Sequence, residues 1–174
     1  MSDAAPQTLA EGRHLRLVRR DGWEWVERRR TSGIVAILAC TPEDRLLLVE
    51  QFRPPVGGRV LEIPAGLAGD IAGHEDEELA TAAARELVEE TGYEAQHLEL
   101  LAAGPISAGL CTEIVSFFLG QGLRKVGAGG GDASESIDVH EVPRRQVPDY
   151  LRQRQATGVL VDPKVYAGLY LAGL

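Results

Sequence analysis

The stretch Arg85-Glu86-Leu87-Val88-Glu89-Glu90-Thr91-Gly92-Tyr93 decides how this chain is read. It closes the one strong helical pattern, Glu75–Thr91, which is built from good helix formers, opens on acidic residues and stops at Gly92. Leu79, Ala83 and Leu87 give that helix a narrow apolar stripe. Glu86 and Glu90 stand one turn apart on one face, with Glu89 flanking them. Like charges at this spacing cost roughly 0.2–0.5 kcal/mol if nothing neutralises them, and Arg85, four before Glu89, relieves part of that. The remainder suits Mg2+ or Mn2+, which take a few hard oxygen ligands and leave room for water and substrate phosphates. A solvated acidic helix face accounts for the same residues. The motif alone leaves both readings open.

Working outward, Leu61-Glu62-Ile63-Pro64-Ala65-Gly66 ends a short strand in a tight turn, and a Gly-rich loop then runs to about His74. Such a turn could aim a backbone carbonyl at the same ions. Further upstream, alternation around Asp21-Gly22 signals a hairpin. The continuous apolar run Gly33–Cys40 reads as a strand buried on both faces, Thr41–Asp44 as a turn, and Arg45–Phe52 as its partner strand. Downstream come strand-like pieces near 97–103, 113–119 and 136–142, a flexible loop at Gly127–Gly131, and short helices over Pro143–Arg154 and Pro163–Leu171. The elements do not alternate strictly, which predicts α+β with a mixed sheet. Residues 1–12 are polar and expected to fray, leaving 13–174 as one domain in which residues 13–45 form an N-terminal sheet.

Composition excludes several classes. With 174 residues, 44% hydrophobic and 25% charged, the chain is an ordinary globule rather than a fibre or a disordered segment. No apolar run reaches the ~18 residues of a membrane span, and the first residues lack the apolar core of a signal peptide. Cys40 and Cys111 make neither a disulfide framework nor a zinc set, so a reducing cytoplasm is expected. Eighteen basic against twenty-six acidic residues give a net charge of −8, which argues against a nucleic-acid partner. An anionic small substrate is compatible with that charge, because a bound cation reverses the local sign.

Glu77, seven intervening residues, Arg85-Glu86, Leu87, Glu89-Glu90, Gly92 and Tyr93 together resemble the signature of the Nudix hydrolases, G-x5-E-x7-R-E-U-x-E-E-x-G-U, where U is bulky aliphatic or aromatic. One departure is visible: the position six before Glu77 is Ile71, so if Gly66 is the signature glycine the loop carries five extra residues. The resemblance implies a Nudix-type α/β/α sandwich around a mixed central sheet, with an extra N-terminal antiparallel sheet. It implies hydrolysis of a nucleoside diphosphate linked to another group, assisted by Mg2+ or Mn2+. Carried over, Glu86, Glu89 and Glu90 are metal ligands with the Ala65 carbonyl, and Glu86 and Glu89 belong to the catalytic set. Arg85 orients the carboxylates, and Glu77 fixes the loop or helix start.

Trp23-Glu-Trp25-Val-Glu-Arg28, Glu50-Gln-Phe-Arg53-Pro-Pro and Leu61–Gly66 are similar to the ADP-ribose pyrophosphatase and nucleoside-diphosphate-sugar branch of that family. The resemblance places Arg53 on the substrate diphosphate, where a guanidinium fork pairs well with phosphate oxygens. It places Glu62 beside the nucleotide. It also implies that Trp23 and Trp25, two apart on one strand face, stack on the base across a homodimer. A surface ion pair, an outward strand carboxylate and interface packing are the plainer alternatives for these positions. Glu135, in Glu135-Ser-Ile-Asp-Val139, matches the pattern that carries the base for the attacking water, with Asp138 and Glu141 as fallbacks, while Glu113 could instead reach the metals. A proline that commonly marks ADP-ribose hydrolases is missing, since the register reads Ser107-Ala108-Gly109. The expected reaction is therefore cleavage of ADP-ribose or a related nucleotide sugar to a nucleoside monophosphate and a sugar phosphate. The rivals are a triphosphate-sanitising pyrophosphohydrolase, which needs no tryptophan stack, and a non-catalytic nucleotide-sugar sensor. Asp162-Pro-Lys164 resembles the start of the branch's closing helix, read as packing on the sheet, and His97 and His140 as strand-surface residues.

Overall fold

A computed structural model describes residues 5–131 and 136–174. The chain runs β1 (Gln7–Glu11), β2 (Leu15–Arg20), β3 (Trp23–Arg28), β4 (Gly33–Ala39), β5 (Arg45–Arg53), β6 (Gly58–Glu62), β7 (Ala65–Ala68) and α1 (Leu79–Thr91). It continues with β8 (Tyr93–Glu94), β9 (His97–Pro105), β10 (Ile114–Gln121), β11 (Arg124–Lys125), β12 (Asp138–Pro143), α2 (Val147–Ala156), β13 (Leu160–Val161) and α3 (Pro163–Leu171). Two four-stranded sheets form the centre, ordered β7-β4-β10-β9 and β12-β5-β6-β13. Both are mixed, because β4–β10 and β6–β13 are parallel while their other pairings are antiparallel.

Alternation along β4 explains the layering. Val35, Ile37 and Ala39 pack with Ala82, Ala83 and Leu87 of α1 on one side. Ala36 and Leu38 pack on the other side with Leu46, Leu48 and Ile63, and with Val147 and Leu151 of α2 and Val165 of α3. A strand covered by helices on both faces must be apolar throughout, which is how Gly33–Cys40 reads. This is the expected α/β/α sandwich.

Four sequence-based expectations change. Arg45–Phe52 is not the ladder partner of Gly33–Cys40: β4 and β5 lie in different sheets, joined by the single bridge Cys40–Leu46 and by Ile37 N–H donating to the Pro64 carbonyl at 2.7 Å. Both edges of β4 are taken by other ladders, six residue pairs with β10 and four with β7. The N-terminal sheet comprises β1–β3 only, so β4 is central rather than part of a 13–45 unit. Gln7–Glu11, expected to fray, pairs antiparallel with β2, since backbone ladder bonds hold even a fully exposed strand. Finally, α1 begins at Leu79 instead of Glu75: the residue before it, Glu78, offers no capping side chain, and Glu77 is turned back toward the loop. Gly92 ends the helix as read, in the left-handed region at φ 75°, donating to Val88.

Candidate active site

Strand β7 and helix α1 build the floor of a cleft of about 420 Å³. Gly66 is where the two elements meet. A Cβ there would lie 1.9 Å from the Glu86 carboxyl carbon, so only glycine lets this carboxylate rest against the strand. One turn on, Glu90 is 2% exposed, and its Oε2 accepts the Ala65 N–H at 3.0 Å. Two carboxylates of one helix face thus bracket the Ala65–Gly66 backbone. Glu89 lies at the exposed edge, accepting from Arg85 Nη1 at 3.1 Å.

Arg85 organises this turn. It donates to Glu77 Oε1 and Oε2 at 3.2 and 3.1 Å, to Glu86 Oε1 at 2.8 Å, to Glu89 and to the Leu67 carbonyl at 2.9 Å. A planar fork with five N–H groups can serve all of them, which a lysine could not. The Arg85 hydrogen bond holds Glu77 below the usual carboxylate range, and Glu77 also accepts the Gly69 N–H at 3.4 Å. The five extra loop residues are taken up between Gly66 and Glu77 by Gly69 and Gly73, at φ 74° and 87°. Glu86 behaves oppositely: burial pushes its pKa up, Arg85 opposes that, and the neighbouring charges of Glu89 and Asp70 add to it. A buried carboxylate that is hard to ionise beside further carboxylates is a place where a cation is favourable.

The cleft walls are charged. Arg53 enters from the end of β5 and donates to Glu62 Oε2 at 2.8 Å; Glu62 is 4% exposed. Lys164, in the first turn of α3, pairs with Asp162 and stands 3.8 Å from Glu62 Oε1. Arg28 from β3 donates to Glu113 Oε1 at 2.7 Å. Four predicted residues, Arg53, Glu62, Ala65 and Glu86, therefore line one cleft, with Glu90 beneath its floor and Glu89 at its edge. Trp23 and Trp25 do not: they line a separate hollow with Cys111 and Thr112, where Trp25 Nε1 donates to Glu27 at 2.9 Å. Glu135 lies outside the described residues. Its fallbacks lie away from the cleft, Asp138 pairing with Arg59 and Glu141 accepting from the Tyr93 hydroxyl at 2.8 Å; Glu113, read as a further metal contact, faces the cleft. Sequence reasoning missed Lys164 and Asp70 as cleft residues, although Asp162-Pro-Lys164 had stood out as a motif. His140, expected at the surface, is half-buried between Tyr150 and Glu50, and burial lowers its pKa.

Among the described residues no three acidic, histidine or cysteine side chains converge into a closed metal cage. The donors nonetheless fit an open site for Mg2+ or Mn2+: hard carboxylate oxygens on one helix turn, a strand-end carbonyl, and a cleft that admits water and phosphate. Arg85 pairs with both Glu86 and Glu89 and so holds their carboxylates on the same side of the turn.

A mixed-sheet sandwich whose acidic helix turn leans on a glycine strand end defines a class, and comparison with known proteins identifies it. The NUDIX domain model matches residues 29–159. The chain belongs to the Nudix family. It is 36% identical over 140 residues to the ADP-ribose pyrophosphatase of Bacillus subtilis (strain 168), covering 80% of this chain and 71% of that protein. It is 35% identical over 127 residues to the methanol dehydrogenase activator of Bacillus methanolicus, covering 72% and 66%. Over 160 residues it is 29% identical to the GDP-mannose pyrophosphatase of Escherichia coli (strain K12), covering 85% and 78%. A crystal structure of an ADP compounds hydrolase superposes with a TM-score of 0.72 at 22% identity, over 97% of this chain and 89% of that one, which shows a shared fold.

Proposed function

We propose that this Nudix pyrophosphohydrolase cleaves the diphosphate of ADP-ribose or a related nucleoside diphosphate sugar, releasing a nucleoside monophosphate and a sugar phosphate. The observation that carries the reading is the bracketing of Ala65–Gly66 by Glu86 and Glu90 at the floor of a cleft that also holds Arg53 and Lys164. The similarity to the ADP-ribose and GDP-mannose pyrophosphatases supports the choice of substrate class.

Glu86, Glu89 and Glu90, with the Ala65 carbonyl, would hold Mg2+ or Mn2+; when bound, such an ion neutralises phosphate charge and lowers the pKa of bound water. Arg53 grips the diphosphate, and Glu62 keeps its guanidinium aimed into the cleft. Lys164 adds a second positive charge on the same wall. Glu135 accepts the proton of the attacking water, and Glu113, on the cleft wall, would reach toward the ions. The proposal extends to a homodimer in which Trp23 and Trp25 of one subunit stack on the base held by the other, and to a cytoplasmic setting. Among the described residues no helix is long and apolar enough to cross a membrane.

The test is a product-resolved assay with Mg2+ or Mn2+ on ADP-ribose, ADP-glucose, GDP-mannose and nucleoside triphosphates. Monophosphate plus sugar phosphate is the expected result; pyrophosphate released from triphosphates alone would establish the sanitising rival. Glu90→Gln should lower turnover at least ~100-fold while substrate still binds, whereas a sensor domain would be indifferent to it.

A further inference from the structure

Beside the catalytic cleft lies a second hollow of about 500 Å³ lined by Arg13, His14, Arg28, Arg29, Arg30 and Asp70. The two cavities share Arg28, Leu67 and Asp70, so one opens along the wall of the other. Its charge is at odds with the rest of the molecule: four arginines surround one space in a chain of net charge −8. Two of the four are already paired, Arg28 with Glu113 at 2.7 Å and Arg29 with Glu11 at 3.0 Å. Asp70, the one acid in the lining, lies 3.7 Å from Arg85 and is drawn toward the catalytic helix.

Among the described residues Arg13 and Arg30 make no ion pair within 4 Å, and the carboxylate that feels Arg30, Glu75, does so only from beyond that distance. Arg30 also sits in the left-handed backbone region at φ 55°, which a side chain of its shape seldom adopts, so the turn fixes where this guanidinium leaves the chain. Like charges gathered within one Debye length, about 10 Å, repel unless an anion joins them. Guanidinium forks suit phosphate and carboxylate oxygens above other ligands. From the shared wall, a group here would belong to the same molecule whose diphosphate occupies the cleft.

We propose that this basic annex is an anion subsite selecting nucleotide-sugar substrates that carry a further phosphate or carboxylate outside the diphosphate. The inference rests on the nucleotide-sugar reading of the main cleft and names a narrower class within it. Its recognition is made by Arg13 and Arg30, with Arg28 on the wall shared with the cleft and Arg29 beside it.

The experiment compares wild-type protein with an Arg13→Gln/Arg30→Asn double variant, asparagine being chosen because it tolerates positive φ. Two matched pairs are used: ADP-ribose against ADP-ribose 2′-phosphate, and UDP-glucose against UDP-glucuronate, so that phosphate and carboxylate are read separately. Each is followed by turnover with Mg2+ and by equilibrium dialysis with the ion withheld. In at least one pair the wild type should bind the more anionic member about tenfold tighter, the effect of one charge-assisted contact. The double variant should erase that preference while leaving kcat and the KM of the less anionic member within about twofold, and Arg13→Lys/Arg30→Lys should retain most of it. Equal binding of both members of both pairs by the wild type, or a preference that survives the double substitution, overturns the annex. A binding preference without turnover on any of the four would uphold the annex and overturn the hydrolase reading instead.

Discussion

Glu77 and Gly66 show how single positions prepare the acidic turn without being its ligands. The Glu77 side chain is 8% exposed and bonded twice to Arg85, which holds its pKa below the ordinary 4.5. A carboxylate whose folded pKa is depressed stabilises the fold above its unfolded value, and that stabilisation disappears as pH falls through the folded one. Glu77→Gln should therefore cost roughly 1.5–3 kcal/mol at pH 7, the worth of a hydrogen bond to a charged group. The gap between variant and wild-type urea midpoints should close as the pH drops below 4.5. Gly66→Ala makes a different prediction. Its Cβ would collide only with the end of the flexible Glu86 side chain, so the fold should lose no more than about 1 kcal/mol. Turnover should nonetheless fall on the order of 100-fold, because the displaced carboxylate is held about an ångström or more from its working position. Paired melting curves and kinetics on the same preparation check this, and a stable, fully active Gly66→Ala would remove Glu86 from the catalytic set.

At the level of elements, the glycine run after β11 has a role other than the mobile loop read from its composition. Gly130 N–H donates to the Glu90 carbonyl at 2.8 Å and Gly131 N–H to the Glu89 carbonyl at 3.0 Å, while Val126 and Gly127 donate to Gly92 at 2.8 and 3.0 Å. The last carbonyls of α1, which no helical N–H can reach, are satisfied by this clasp. Contact is so close that a Cβ on Gly129 would sit 2.4 Å from the Thr91 carbonyl carbon. Gly129→Ala should thus destabilise by roughly 2–4 kcal/mol, and should lower kcat about tenfold with KM little changed, by loosening the turn that bears Glu89 and Glu90. Gly158→Ala is the control: its φ of 86° carries the same backbone penalty with nothing within 4 Å. The clasp was illegible in the sequence because a tri-glycine run looks the same whether it is loose or docked. What could be read was local: the carboxylate spacing on α1, the Asp21-Gly22 hairpin with φ 51° and 84°, and the apolar run of β4 all depend on near neighbours. Lys164 and Glu113 reach the cleft from distant segments, and β4 chose β10 over β5 by a parallel pairing that no short-range pattern encodes.

For the whole molecule, the position of Trp23 and Trp25 makes the proposed base stack testable. Trp23 is 64% exposed, and its hollow of about 520 Å³ shares no lining residue with the catalytic cleft. The sheet β1-β2-β3 that carries it is joined to the body chiefly through Val26, which pairs with Cys111 and Leu110, and through the Arg28–Glu113 ion pair. A three-stranded sheet with one face open is marginal by itself and gains from a second copy laid against it. If the base of the substrate stacks on the partner's tryptophan, removing that ring should cost about 1–3 kcal/mol of binding, appearing in KM rather than kcat. A mixing experiment then separates a shared site from a self-contained one. Glu86→Gln homodimers have intact tryptophans and a damaged acidic turn; Trp23→Ala/Trp25→Ala homodimers have the reverse. Exchanged into mixed dimers in equal amounts, they form one site in which an intact cleft faces an intact tryptophan pair. Activity at low substrate should recover to roughly a quarter of wild type, because half the dimers are mixed and each holds one such site. Tryptophans acting within their own chain would leave the mixture no better than the average of its parents, and sedimentation at the mass of a single chain would exclude the shared site altogether.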